Sequence, residues 1–252
     1  VDRGIVWKTA ERDGGETKVP LAPWATDGVR MIDKGNPHTW TSFEEAVNWA
    51  QKTPNWGLGF VLWREGEFVG VDLDEKGEIH KEVLENIKKL EEDGYQFENA
   101  DASFALLAKR VQGELPEFFE VLEYEILTNR VDGEEPEAKA SVKVRVDGDV
   151  RDSIERGHGP VDALDNAFHR CLNSFYHSIE DMKLTNYKVR ILESYRGTAA
   201  VPRVMIEMTD GEKTWNTIGV SEDVIEASWE ALRDGYIYGL LSVRTEVSGH
   251  VG

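Results

Sequence analysis

The segment GHGPVDA, which begins at Gly157, combines residue types that can hold a small charged ligand. Gly157 and Gly159 allow backbone conformations that are closed to other residues, and Pro160 suits the first position of a helix. The free N–H groups of such a helix start attract a carboxylate or a phosphate. Asp162 is the acid placed to meet an ammonium group, and His158 is either a ligand or an exposed turn residue.

Two common phosphate-binding motifs do not fit this segment. A P-loop needs a Lys followed by Ser or Thr after the glycines, and a dinucleotide-binding loop needs a third glycine. The residues therefore leave two interpretations open. The segment is either a structural strand-to-helix turn or the binding site of a small ligand.

A second candidate is the pair of acids in GVDLDE, Asp72 and Asp74. Residues two apart on a strand point to the same face, so both carboxylates could hold one Mg²⁺ or Mn²⁺ ion for nucleotidyl transfer. Two acids near a strand end also occur without a metal. A metal site and a plain acidic surface both remain open.

Other chemistry finds little support in the sequence. The six His form no metal-type cluster, and no G-x-S-x-G nucleophile motif is present. Cys171 is the single cysteine, which excludes an intrachain disulfide and a cysteine zinc site. It falls on the apolar stripe of a predicted helix, so we expect a buried thiol.

Composition limits the partners. The formal net charge of −19 over 252 residues argues against a general nucleic-acid binder, which needs a basic surface. No apolar run approaches the roughly 18 residues of a membrane span, and the start shows no signal-peptide pattern. We therefore expect a soluble cytoplasmic protein without a membrane or nucleic-acid partner.

The hydrophobic periods predict an α+β fold whose elements position the turn and the acids. Strands followed by a helix occur twice after residue 117, which predicts a duplicated α+β unit. The charged segment 132–140 contains a Pro and is the best linker candidate. Helices are predicted at 41–50, 78–92, 101–111, 160–175 and 222–241, a β-hairpin at 57–74, and strands at 118–131, 140–148, 187–194, 201–209 and 213–220.

From about Ile87 to Leu241 the chain resembles the C-terminal region of (R)-citramalate synthases, relatives of 2-isopropylmalate synthase. The motifs that carry the resemblance are EEDGYQFENADASFALLAKR, ASVKVRVDG, GHGPVDALDNAF, LTNYKVRILES, GTAAVPRVMIEM and WNTIGVSEDVIEASWEAL, in family order. Together they span roughly 60% of the chain.

This resemblance implies a non-catalytic regulatory region. In the family, the region is an allosteric domain of two strand-plus-helix units that pairs in a dimer and binds the end-product amino acid near the dimer contact. We therefore expect a homodimer formed through 136–245, with isoleucine or leucine as a feedback inhibitor. The catalytic barrel, with its metal and acyl-CoA sites, is absent from the sequence, so no catalytic residue and no cofactor are expected on this region.

The resemblance also implies where the amino acid binds. The turn would supply its backbone and an acid, LTNYKVRI and the following strand would line an apolar pocket, and the second turn, GVSEDVIEAS, would add two residues. The implied ligand-binding residues are Gly157, His158, Gly159, Val161, Asp162, Leu184, Tyr187, Ile191, Val201, Val224 and Glu226.

Residues 5–75 resemble the start of the bifunctional primase-polymerase domain of archaeal and viral replication proteins, through IVWKTAERDGGETKVPLAPW, HTWTSFEEAV and GLGFVL…FVGVDLD. This resemblance maps Asp72 and Asp74 onto a first metal-binding motif. The chain is thus predicted to be chimeric, with segments at 1–77, 78–135 and 136–245. A metal-dependent primase-polymerase fragment and a dimerisation module without a ligand are the alternative functions.

Overall fold

The structure, a computed structural model, divides the chain into two units, Val1–Glu114 and Leu115–Gly252. Each unit is built around its own β-sheet or sheets. The structure describes residues 4–12, 15–22, 30–31, 41, 45–46, 49, 52, 56–64, 67–73, 77–130, 132, 135–192, 197 and 199–249.

The first unit contains an antiparallel sheet of five described strands with the order β3-β2-β1-β4-β5. The predicted hairpin is confirmed, because β4 and β5 pair along their length. Asp72 lies on β5 opposite Gly59, whereas Asp74 and most of the predicted helix 41–50 lie outside the described residues. The strands are β1 (Gly4–Arg12), β2 (Gly15–Ala22), β3 (Arg30–Met31), β4 (Trp56–Arg64) and β5 (Glu67–Leu73).

Two predicted helices of the first unit are confirmed as α1 (Gly77–Glu92) and α2 (Asp101–Gln112). The apolar stripe of α1 is buried through Val83 and Ile87, as its three- and four-residue spacing predicts. Helix α2 ends at Gly113, which adopts the left-handed conformation with φ of 71°.

The second unit consists of two halves, each a three-stranded antiparallel meander followed by a helix. This arrangement confirms the predicted α+β fold with a duplicated strand-plus-helix domain. The first half contains β6 (Glu120–Asn129), β7 (Glu137–Val146), β8 (Asp149–Gly157) and α3 (Pro160–Asn173). The second half contains β9 (Lys183–Ile191), β10 (Pro202–Thr209), β11 (Thr214–Val220) and α4 (Val224–Gly249).

Strands β1, β2 and β3 of the first unit were not predicted, and in the second unit β8 and α4 differ most from the expected pattern. Strand β8 was not predicted, because it is an edge strand whose side chains are largely polar and exposed and so lack a clear apolar alternation. Helix α4 continues eight residues beyond the predicted end at 241. The predicted domain boundary between 135 and 136 falls in the connection between β6 and β7, which are neighbouring strands of one sheet.

Each half has a core between its sheet and its helix. Every second residue of β7 is buried, including Val142 and Val144, so one face of the strand packs against α3. Every second residue of β10 is also buried, including Val204 and Ile206, and this face of the strand packs against α4. The alternation of buried and more exposed side chains follows from the two-residue period of a strand.

The two halves pack together through aromatic rings. Phe168 of α3 makes edge contacts with Trp229 and Tyr236 of α4, at centroid distances of 4.7 Å and 5.1 Å. Phe168 and Tyr236 are fully buried. Such ring pairs add to the stability that burial of apolar area provides, so the two helices form the shared centre of the unit.

The turn glycines have different roles from those expected. Gly159 has an extended backbone with φ of −160°, a conformation that any residue adopts. Gly157 is required for space, because a Cβ there would overlap the backbone nitrogen of Ala163. Gly219 repeats this constraint in the second half, where a Cβ would overlap the carbonyl oxygen of Ala227. The prediction that the turn glycines supply backbone conformations closed to other residues is therefore wrong for both, since Gly157 does not have a positive φ either.

We predict that Gly157→Ala lowers the free energy of unfolding by about 1–3 kcal/mol, because the backbone of α3 must move away from β8. Gly159→Ala is the matched control, since no atom lies within 4 Å of its added Cβ, and it should change stability by less than about 0.5 kcal/mol. Urea unfolding measures both variants. Equal losses would contradict the assignment of the steric constraint to Gly157.

Candidate functional site

Asp162, the acid predicted to bind a ligand, makes a hydrogen bond within the turn before α3. The backbone N–H of His158 donates to Oδ2 of Asp162 at 2.7 Å, and both residues are exposed. The side-chain amide of Asn166 donates to the carbonyl oxygen of Arg156 at 3.0 Å and ties the helix to β8. A carboxylate can accept about four hydrogen bonds, so Asp162 keeps acceptor capacity for a ligand ammonium group.

The predicted apolar residues of β9 share one face of the second sheet. Leu184, Tyr187 and Ile191 pair with residues of β10 that face α4, and opposite residues of an antiparallel pair lie on the same face. Helix α4 does not cover this strand completely, because Tyr187, Val189 and Ile191 remain 36%, 43% and 51% exposed. Val201 lies beside the end of the strand, where its carbonyl accepts the N–H of Leu192 at 2.8 Å.

A hydrogen bond joins β9 to the first turn of α4. The hydroxyl oxygens of Tyr187 and Ser228 are 2.8 Å apart. Ser228 also donates to the carbonyl oxygen of Val224 at 2.6 Å. The side chain of Val224 is 39% exposed. These residues form an apolar corner, which we define as Tyr187, Val189, Ile191, Val224 and Ser228.

Glu226 lies on the other side of α4. Residues two apart on a helix do not share a face, and the contacts agree, since Glu226 accepts a 2.5 Å hydrogen bond from the hydroxyl of Tyr124 on β6. The Tyr124 ring also packs on Trp229 at 5.0 Å. Burial, and then the hydrogen bond to Glu226, raise the pKa of Tyr124, so the phenol remains a neutral donor.

The contacts thus place most of the predicted residues in three locations: the α3 turn, the apolar corner and the Tyr124–Glu226 contact. Leu184 lies near the start of β9, opposite Met208, and Val201 lies beside the other end of the strand. The prediction omitted two residues of these contacts. Ser228 could have been found, because it lies one helical turn after Val224 in VIEAS. Tyr124 could not, because it lies 102 residues from its partner in the sequence.

A metal centre finds no support in the part of the chain that the structure describes. No group of three or more His, Cys, Asp or Glu side chains is placed to hold a metal ion there. The proposed pair is not tested by this result, because the side chain of Asp72 and all of Asp74 lie outside the described residues. No helix within the described ranges combines the length and apolar character needed to cross a membrane.

A polar contact accompanies the aromatic packing of α3 on α4. The hydroxyl of Tyr236 donates to Oδ1 of Asp165 at 2.8 Å. Burial raises the pKa of Asp165 above its ordinary value of 3.8, against the opposing effects of the Tyr236 hydrogen bond and of nearby His169. Burial also raises the pKa of Tyr236. Burial at the centre of the unit thus favours the neutral form of Asp165 more than water does.

Comparison with known proteins connects this architecture to a family. The model of the LeuA allosteric (dimerisation) domain matches residues 98–240, which contain both meanders and most of α4. The chain is 42% identical over 185 residues to an (R)-citramalate synthase of Geobacter sulfurreducens, covering 73% of this chain and 35% of that protein.

Two further (R)-citramalate synthases give similar values. The one from Aquifex aeolicus is 42% identical over 178 residues, which cover 70% of this chain and 34% of the relative. The one from Synechocystis is 40% identical over 188 residues, which cover 73% of this chain and 34% of the relative. The chain thus spans about a third of the length of these relatives.

The Asp165–Tyr236 contact predicts a pH-dependent stability. Because the pKa of Asp165 is raised in the folded state, the folded chain holds a proton that the unfolded chain releases near pH 3.8. The stability that this bound proton contributes is fully present below that pH and is lost as the pH rises through the folded-state pKa of Asp165. Asp165→Asn keeps an acceptor for Tyr236 without the charge, so its stability relative to the unmodified chain should increase between pH 4 and pH 7. Urea unfolding at both values checks this, and a pH-independent difference would contradict it.

Proposed function

Because the chain belongs to the family of LeuA allosteric (dimerisation) domains, we propose that it forms a homodimer and binds a branched-chain amino acid, isoleucine or leucine, as a feedback effector. Residues 98–240 form the regulatory and dimerisation domain of the citramalate synthase family. We propose that the regulated activity is that of such a synthase.

The observation that carries the ligand proposal is the apolar corner. An aliphatic side chain of four carbons needs a small apolar surface that is open to solvent in the absence of a ligand. Tyr187 and Ile191 share one face of β9, Tyr187 reaches Ser228 of α4, and these two residues and Val224 keep a third to a half of their surface exposed. Burial of this surface by an aliphatic side chain would provide the affinity.

The charged ends of a free amino acid need different partners. In the proposed complex the N–H groups at the start of α3 bind the carboxylate, and Asp162 binds the ammonium group. The residue types in the turn support this assignment, because the acid is exposed and its contact to His158 uses one of several acceptor positions. The turn and the apolar corner belong to different halves, so we expect the homodimer contact to help bring them together.

The homodimer proposal rests on the family and on the uncovered face of β9. Val189 lies opposite Val204, on the face of the sheet that α4 covers at β10. On β9 this face is open, and Val189 is 43% exposed. Exposed apolar residues that adjoin one another are typical of protein interfaces. We propose that the second copy covers part of this strand.

We predict that Asp162→Asn weakens isoleucine binding at least about tenfold, because the ammonium group loses its charged partner while the turn keeps an acceptor for the His158 N–H. Isothermal titration of the full 252-residue chain with isoleucine and leucine measures this. Asp223→Asn is the matched control, since Asp223 accepts the Ile225 N–H at 2.7 Å at the start of the other helix. No binding of either amino acid to the unmodified chain at millimolar concentration would overturn the ligand proposal.

We predict that Val189→Lys converts the dimer to a monomer at micromolar concentration, because a lysine ammonium would be buried in the contact. Multi-angle light scattering gives the mass directly. Ile154→Lys is the control, as this 54% exposed residue lies on the face of the other sheet that points away from α3. A monomeric unmodified chain, or a dimer that tolerates Val189→Lys, would contradict the proposed interface.

A further inference from the structure

The contact between Ser228 and Tyr187 has a role beyond joining a strand to a helix. We propose that Ser228 is a positioning residue that sets the shape and the selectivity of the apolar corner by holding the ring of Tyr187. The inference rests on the proposed function, because it concerns the same amino-acid site. It assigns a role in selectivity to a fully buried serine that does not itself reach the ligand.

The direction of the hydrogen bonds follows from counting protons. A serine hydroxyl has one proton, and Ser228 donates it to the carbonyl oxygen of Val224, which can only accept. The oxygen of Ser228 therefore acts as the acceptor toward Tyr187, whose hydroxyl is 2.8 Å away. The only proton of the Tyr187 hydroxyl is thus used inside the protein.

This arrangement changes what Tyr187 offers to a ligand. With its hydroxyl proton directed at α4, the residue presents ring carbon atoms and no free donor to the solvent side of β9. Such a wall offers no hydrogen-bond donor, so it favours an aliphatic side chain over a polar one that must accept a hydrogen bond, because the polar acceptor would be buried there without a partner.

Ser228 also limits the motion of the ring. Tyr187 lies on β9, an edge strand of the second sheet, and its side chain is 36% exposed, so packing alone does not surround it. The neighbouring Val189 and Ile191 are more exposed still. The hydrogen bond to the buried Ser228 is what ties the ring to the rigid first turn of α4. A fixed wall can discriminate between side chains that differ by one methylene, whereas a mobile wall adapts to both.

The experiment compares Ser228→Ala, Tyr187→Phe and the double variant of the full chain by isothermal titration with isoleucine and with valine. Each single change should weaken isoleucine binding about fivefold, because each removes the same hydrogen bond. The double variant should bind within about twofold of either single variant, since the second change has no bond left to remove. A preference of about tenfold for isoleucine over valine should fall to about threefold or less.

Ser242→Ala is the matched control. Ser242 makes the same kind of hydrogen bond within α4, to the carbonyl oxygen of Tyr238 at 3.0 Å. Its removal should leave isoleucine affinity and the preference over valine within twofold of the unmodified chain. A general loosening of α4 would instead affect this variant as well as Ser228→Ala.

The outcomes separate the two proposals. Absence of isoleucine and leucine binding in the unmodified chain would overturn the proposed function and this inference with it. If the unmodified chain binds, unchanged affinity and selectivity in Ser228→Ala, or effects that multiply in the double variant, would overturn the positioning role alone. If Ser228→Ala does not fold, Tyr187→Phe decides, because the exposed position on β9 tolerates the change and the variant must still lose selectivity.

Discussion

The second unit depends on the close approach of each helix backbone to the glycine that ends or nearly ends the preceding strand. At Gly157 and at Gly219 the position of a Cβ is already filled by backbone atoms of Ala163 and Ala227. This contact sets the distance between strand and helix in both halves. The residues of the first helical turns are therefore held close to the sheets, where their side chains can act together with residues of the strands.

The same constraint leads to different surroundings in the two halves. In each, an acid immediately precedes the alanine: Asp162 in the first half and Glu226 in the second. Asp162 is exposed and closes its own turn through the N–H of His158, whereas Glu226 is half-buried and accepts a hydrogen bond from β6. The duplication therefore provides one acid at the surface and one that joins the halves.

The interface between the halves combines apolar packing with two phenol–carboxylate hydrogen bonds. Tyr124 donates to Glu226, and Tyr236 donates to Asp165. Around them, the rings of Phe168 and Trp229 exclude water. Buried polar groups are expensive unless they are paired, so these two bonds restrict how the helices can shift relative to the sheets. The two halves are therefore held together by polar contacts as well as by apolar packing.

The sequence by itself determined most of the helices and strands after residue 77, the duplicated α+β unit and the position of the turn at Gly157, because these depend on local periodicity and on the steric properties of glycine and proline. The family also followed from motifs in the right order. Only the tertiary structure decided that Tyr187 is held by Ser228 and that Glu226 turns toward Tyr124. These contacts join residues that are 41 and 102 positions apart, and local patterns carry no information about which face of a helix will meet which strand.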